Sequence, residues 1–463
     1  MRIAAISVAP VFSDHVIGGS QKILADVAVG LKNNDHDIQI WCTGTDSHNG
    51  DFEVGSVRVH PDLKLRGAFP ATHQVSPAAL AQTADVLRKA ADWADRVYLH
   101  ADAIYLRHAI EGTAIVRSIH DYTYEEALIS TLTLPADTTI VPSEYLKKCI
   151  EATVAISGRK SIEPVVTVPN GLQVPESPPD PALPSEIKPR EDNDLILLFP
   201  HRPEPNKGID EAIQVAVEVQ RLEPTRNVRL LIPAYPFGAN LDETNISADE
   251  ITGIVEARGA GDIVELHRWL SPSEMAGHYA GGDITLCVGS FIESFGLVPL
   301  ESVVNGTPAV CSRVGALRQF AGIDGVELVP YGDVQAGAKT VIAAASASPD
   351  LLESGRSQIS AKYSDEAMIS DFESVITRFL GSERNITESN NGRLSLAPWC
   401  DIQNDRIYDD YDAAARQYPE LTRALAQENG SVLSDPLLMS AALDAEVRFA
   451  REQRILIPEF DIT

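Results

Sequence analysis

The chain has 463 residues, too many for one hydrophobic core, and its length predicts roughly two to three domains. An apolar share of 44% with 22% charged residues is that of a folded chain and excludes wholesale disorder. A net charge of −28 argues against nucleic acid or an anionic membrane surface as partner, and no apolar run approaches the roughly 20 residues of a membrane span.

The opening run, MRIAAISVAP, reads as a buried strand without the segments of a secretory leader, so a cytoplasmic location is expected. Further strands are predicted at Ile38–Cys42, Val97–Leu99, Ala114–Ile119, Thr138–Val141 and Val165–Val168. Helices are predicted at Gln21–Leu31, Ser76–Arg96 and Glu144–Ile156; in the first, Ile23, Leu24, Val27, Ala28 and Leu31 share one face. This alternation predicts a parallel sheet covered by helices. Pro175–Asp194 carries six prolines and almost no apolar periodicity, which predicts a stiff surface linker at a domain boundary.

A second alternating series follows, with strands at Leu195–Phe199, Val228–Ile232, Ile263–Leu266, Ile284–Val288 and Pro308–Cys311. Its helices are Ile209–Leu222, Ser247–Arg258, Ser273–Tyr279 and Leu297–Asn305, and a last one covers Asp365–Leu380. Beyond a polar stretch the tail reads as helical, most clearly at Tyr408–Tyr418 and Pro436–Arg451. The expected division is 1–178, a linker at 179–194, 195–380 and a helical extension at 381–463. Five cysteines (42, 149, 287, 311 and 400) without C-x-x-C spacing predict reduced, buried thiols.

Two such α/β domains place ligands beyond the carboxyl ends of their strands, so the loops there carry the chemistry. In ESFGLVPLE, residues 293–301, Pro299 is tolerated only in a first helical turn, and Asn305-Gly306 closes the helix. The amides from Ser294 through Phe295, Gly296 and Leu297 to Val298 then form an anion cradle. Glu293 and Glu301 flank it and can accept hydrogen bonds from sugar hydroxyls. In HRPEPNKG, after the strand Leu195–Phe199, Arg202 and Lys207 are two cations able to clamp a diphosphate. Gly18-Gly19-Ser20 opens the first helix and lets backbone approach a ligand; His120-Asp121 ends a strand. Each of these, alone, also fits a bland structural role.

In this order, the pieces resemble glycosyltransferase family 4 of the GT-B fold over residues 1 to about 380. The E-x7-E run with ESFGLVPLE and NGTP is the most specific part, supported by the GGS loop, VPNGL and the R-x4-K pair. The resemblance implies two Rossmann-like domains with parallel sheets facing across a cleft, the first on the acceptor side and the second binding the nucleotide sugar. It implies a retaining, metal-independent hexosyl transfer from a nucleoside-diphosphate sugar, UDP-sugar first and GDP-sugar next, with no cofactor. Arg202 and Lys207 would hold the diphosphate, Glu301 the ribose, and Glu293 the transferred sugar; Ser294–Val298 would approach sugar and phosphate. Gly19 and His120 would face them from the first domain, His120 being the one candidate base.

Two departures stand out: His201 replaces the glycine before the arginine, and Gly315-Ala-Leu-Arg-Gln319 lacks the usual carboxylate. The acceptor is expected to be a soluble small molecule, and the tail a packing element or homodimer contact outside donor binding. The alternatives are a catalytically silent sugar-nucleotide-binding or scaffold protein on the same fold, or a nucleotide-sugar hydrolase or epimerase. Asp35-His-Asp37 reads as surface, Asp409-Asp-Tyr-Asp412 as acids at a helix start, and the sequons at Asn245, Asn305, Asn385 and Asn429 as incidental.

Overall fold

A computed structural model of the chain describes residues 1–13, 19–45, 49–65, 75–234, 246–378, 381–428 and 430–463. Gly18, Asn245, Leu380 and Asn429 lie outside the described residues. The chain forms two compact units. Unit 1 holds Met1–Gly171, Asp365–Pro398 and Glu420–Thr463; unit 2 holds Leu172–Ser364 and Trp399–Pro419.

Unit 1 runs β1 (Arg2–Ser7), α1 (Gly19–Asn33), β2 (Asp37–Thr43), β3 (Phe52–Val54), β4 (Val57–Leu63), α2 (Pro77–Trp93), β5 (Arg96–His100) and β6 (Ile115–Ser118). It continues through α3 (Glu125–Thr133), β7 (Thr138–Val141), α4 (Glu144–Ile156), β8 (Ser161–Ile162) and β9 (Val165–Thr167). The eight-stranded sheet has the order β3-β4-β2-β1-β5-β6-β7-β9, parallel except for the β3–β4 hairpin. Successive residues of β1 serve opposite faces: Ile3 and Ala5 join the core under α1, Ala4 and Ile6 the core under α2. That two-sided burial is why the strand reads as one apolar run. The β3–β4 hairpin went unpredicted, although Gly55, at φ 58°, and Ser56 form a hairpin-type turn between alternating residues.

Unit 2 runs β10 (Asp194–Leu198), α5 (Ile209–Leu222), β11 (Asn227–Ala234), α6 (Ala248–Ala257), β12 (Val264–Arg268), α7 (Pro272–Gly281), β13 (Ile284–Cys287) and α8 (Leu297–Val304). It closes with β14 (Ala309–Ser312), β15 (Val326–Val329), α9 (Val334–Ala344) and α10 (Pro349–Tyr363). Its sheet is parallel throughout, in the order β12-β11-β10-β13-β14-β15. The order reverses between β10 and β13, so the loops leaving these two strands flank the switch point where such sheets bind ligands.

The proline-rich segment read as a linker is fastened to unit 2. The Ala182 amide donates to the Gly277 carbonyl at 2.9 Å. The Arg229 guanidinium donates to the carbonyls of Lys188 and Pro189 at 2.7 and 3.2 Å. The units therefore divide at Gly171/Leu172 rather than within 179–194. Helix α11 (Asp365–Arg378) belongs to unit 1, because Met368, Phe372, Val375 and Ile376 fill the core beneath α1.

The tail departs from the expected helical extension. It contains β16 (Arg384–Glu388), β17 (Arg393–Leu396), β18 (Cys400–Gln403), β19 (Arg406–Asp409), β20 (Ala414–Gln417), α12 (Pro419–Gln427), β21 (Ser431–Leu433), α13 (Ala441–Glu452), β22 (Leu456–Pro458) and β23 (Phe460–Ile462). In unit 1, β16 pairs with β8 and β23, and β17 with β21 and β22. In unit 2, β18, β19 and β20 form an antiparallel meander. Tyr408–Tyr418 is thus strand, not helix. Its aromatics fall at helical spacing, but Asp409 pairs with Ala414 across a turn at 410–413 whose Ala413 stands at φ 47°, which a helix cannot contain. All five cysteines are free and buried. Among the described residues, no helix is long and apolar enough to cross a membrane.

Candidate functional site

The site in unit 2 grows from two glycines. Gly208, at φ 91°, caps α5, and a Cβ there would lie 2.5 Å from the Gly289 backbone. A Cβ on Gly289 would in turn lie 2.3 Å from the Asn206 carbonyl oxygen. Only glycine at both positions lets the loops after β10 and β13 touch backbone to backbone. The Phe291 amide donates to the Asn206 carbonyl at 2.9 Å and closes the contact. His201, where the family pattern has glycine, sets its Nε2 at 3.1 Å from the Leu286 carbonyl, a third tie between the strands.

This approach brings Lys207 and Glu293 together. The ammonium Nζ lies 2.6 Å from Glu293 Oε1 and 3.4 Å from the centre of the Phe291 ring. Both side chains are mostly buried, at 12% and 25% exposure, so the pair is only weakly screened. Lys207, Phe291, Glu293, Gly296, Val298 and Leu317 are among the residues lining one small pocket. Gly296, at φ 88°, starts α8, and a Cβ there would meet Leu317 at 2.5 Å. Pro299 sits in the first turn of α8, as its missing donor requires. The first-turn amides of Leu297 and Val298 have no helical acceptor and point a partial positive charge past the helix end. Phe295 is a core anchor, its ring edge-on to Phe320 and Tyr363 at 5.6 Å each, so only its main chain is left for a ligand. Ser294 is also buried.

Glu301 and Arg202 make separate contacts. Glu301 Oε2 accepts from the Tyr279 hydroxyl at 3.1 Å, and burial with that carboxylate pushes the phenol well above its ordinary range. Arg202 pairs with the buried Glu204 at 3.1 Å and keeps 38% of its side chain exposed. Each expected cation is therefore matched to a carboxylate in unit 2. The sequence reading missed Phe291, Tyr279 and Glu204; of these, only Phe291, two positions before Glu293, had a signal.

In unit 1, Gly19 is the first residue of α1, and a Cβ there would meet nothing within 4 Å. Ser20 is tied to β5: its carbonyl lies 2.8 Å and its hydroxyl 3.0 Å from His100 Nε2. His120 follows β6 with its ring 4.4 Å from that of His100. Its Nε2 is buried without a hydrogen-bond partner, and burial lowers its pKa to about 4. The ring is accordingly neutral at pH 7 and a weak base. His36 of Asp35-His-Asp37 pairs with Glu373 at 3.1 Å, a structural role. Asp409–Asp412 lies at the turn between β19 and β20 rather than at a helix start, and Asp410 is 2% exposed.

Residues 184–354 match the family model described as Glycosyl transferases group 1. A D-inositol 3-phosphate glycosyltransferase of Frankia alni is 36% identical over 137 residues, 29% of this chain and 32% of that protein. That of Corynebacterium glutamicum is 33% identical over 122 residues, 26% of this chain and 28% of that protein. The matched segment thus spans about a third of these curated relatives. Among solved structures, a sucrose-phosphate synthase from Thermosynechococcus elongatus superposes with a TM-score of 0.61 at 18% identity, over 81% of this chain and 98% of that one. Anabaena HepE in complex with UDP and glucose superposes with a TM-score of 0.61 at 16% identity, over 82% and 100%. The chain has the GT-B fold, and its segment 184–354 is similar to the group 1 glycosyltransferases.

Proposed function

We propose that the protein is a retaining glycosyltransferase that moves a sugar from a nucleoside-diphosphate donor to a hydroxyl of a soluble small molecule. The observation that carries this reading is the Lys207–Glu293 pair at the switch point, beside the N-terminus of α8. One group suits a diphosphate and the other a sugar hydroxyl. The matched family model supports the reaction class, and the relatives' name makes phosphorylated polyols the first acceptors to try.

Breaking the glycosyl–phosphate bond puts positive charge on the sugar ring and negative charge on the departing diphosphate. Lys207, Arg202 and the amides of Leu297 and Val298 stabilise the second charge, which supplies by fixed groups what a divalent ion would otherwise give. Lys207 exchanges part of its contact with Glu293 for a phosphate oxygen, and Glu293 turns a carboxylate oxygen to the sugar hydroxyls. Glu301 holds the ribose, with Tyr279 fixing its other oxygen. The neutral His120 of unit 1 is too weak a base to take the acceptor's proton. Glu293 orients the sugar rather than attacking it, so no covalent sugar–enzyme intermediate forms; the acceptor oxygen bonds to the anomeric carbon as the glycosyl–phosphate bond breaks, and the leaving phosphate takes the acceptor's proton. UDP-sugar is the first donor and GDP-sugar the second. Five free, buried cysteines support a reducing, cytoplasmic setting.

The test is a thermal-shift panel of nucleoside diphosphates, followed by product analysis of the matching sugar nucleotide with candidate acceptors. Stabilisation by one diphosphate and an acceptor-dependent glycoside support the reading. Binding without turnover would favour a silent binding protein, and donor breakdown without acceptor a hydrolase; either result overturns it.

A further inference from the structure

The loop that carries Glu293 rests on one turn, residues 313–320. The Ala316 amide donates to the Glu293 carbonyl at 2.8 Å. Gly315, at φ 53°, packs so close that a Cβ would lie 2.7 Å from the same oxygen. The Gln319 side chain reaches the Phe295 carbonyl at 3.5 Å, and Leu317 lines the pocket beside Lys207. The turn is a single short 3-10 segment, held from within by Arg318 Nε donating to the Arg313 carbonyl at 3.2 Å and by Leu317 and Phe320, which pack in the core beside Phe295.

Its polar side is tied down by residues about 90 positions further along the chain. Arg313 is gripped by both oxygens of Asp401, at 3.0 Å each. Arg318 makes a short ion pair with Asp410 Oδ1, an oxygen that the Gly315 amide also reaches, at 3.4 Å. Gln403 donates to the Arg313 carbonyl at 2.7 Å and accepts from the Tyr331 amide at 2.9 Å. The Asp410 side chain is fully buried, so its charge acts on Arg318 with little screening. The turn itself, RVGALRQF at 313–320, carries two arginines and no carboxylate. The tail meander brings a carboxylate to the same turn from outside it.

We infer that the meander of β18, β19 and β20 completes the sugar-facing part of the site, with Asp410 and, more weakly, Asp401 as positioning residues for Glu293. This rests on the functional reading above. It reverses the expectation that the tail stands outside donor binding. A carboxylate two hydrogen bonds away from Glu293 sets where its main chain lies, and a displacement of about an ångström is enough to cost a well-oriented contact.

The test uses the full chain with Asp410→Asn, and with Asp401→Asn as a milder second variant at a partly exposed pair. Calorimetry is run with UDP and UDP-glucose, and with GDP and GDP-mannose, and hydrogen exchange is followed at 293–298 and Ala316. In Asp410→Asn, affinity for the sugar nucleotide is expected to fall at least tenfold relative to that for free diphosphate. Exchange at Ala316 and across 293–298 is expected to quicken at least tenfold, while the amides of β10 and β11 stay protected. Asp401→Asn is expected to move both readouts the same way, about threefold, and it decides the matter if Asp410→Asn does not fold. Unchanged ratios and unchanged exchange in a wild type that binds nucleotide overturn this inference alone. A wild type that binds none of the four ligands overturns the functional reading, and this inference with it.

Discussion

Glu293 and Glu301 should fail in different ways, and the structure sharpens how. Glu301→Gln removes the charge but leaves an acceptor for the Tyr279 hydroxyl, which sits at 3.1 Å, so the buried phenol is not orphaned. What is lost is a charge-assisted contact to the ribose, about 1.5–3 kcal/mol, or roughly ten- to a hundredfold in affinity for donor and free diphosphate alike. Glu293→Gln instead loosens the 2.6 Å contact that shares Lys207 with any incoming phosphate. Free diphosphate should therefore bind as well as before, or up to about threefold more tightly, since Lys207 is released. Turnover should fall about a hundredfold, because the sugar's orientation in the transition state depends on that carboxylate. Calorimetry with UDP and GDP on both variants, beside their transfer rates, measures both effects. Loss of diphosphate affinity in Glu293→Gln but not in Glu301→Gln would refute the assignment.

Chelator is expected to leave transfer largely intact, and a complete loss in EDTA that magnesium restores would contradict catalysis by fixed cations. The buried His267 and His278 rings stand 5.1 Å apart, and burial lowers the His278 pKa from 6.5 to about 3. Folding thus favours the neutral ring; stability is whole above about pH 6.5 and falls by about 1.4 kcal/mol per unit as pH drops towards 3. Urea titrations at pH 6.5 and 5 should show the wild type losing about 2 kcal/mol more than His278→Phe. Gly289→Ala forces apart two backbones 2.3 Å from the new Cβ. It should cost about 1–3 kcal/mol and most diphosphate binding, both read by thermal shift with and without ligand. Gly253→Ala in α6 meets nothing within 4 Å and should gain about 0.4–1 kcal/mol.

Most of the two sheets was legible because parallel strands and their covering helices leave strong local patterns. Ile284–Cys287 is apolar because both its faces are covered, and Ser143 and Ser247 cap helices with their own side chains, whereas Pro349–Tyr363, capped by Ser348, was not predicted. The tail was misread because its strands are short, half exposed and spaced like a helix, so periodicity over 408–418 pointed the wrong way. The Asn404-Asp405 pair, just before that window, is a hairpin-turn signal that marks the tail as strand rather than helix.

By itself the sequence placed two cations in the loop after β10, two carboxylates around the start of α8, and Asn305-Gly306 at the end of that helix. Those are local properties, written in φ, burial period and helix capping. Only the tertiary structure decided which groups meet. Lys207 reaches Glu293 across 86 residues because the sheet order sets β10 beside β13. Asp410, read as an acid at a helix start, is buried against Arg318 because the tail re-enters unit 2. Such pairings follow from strand order and chain path, which depend on the packing of the whole core and leave no mark at either residue alone.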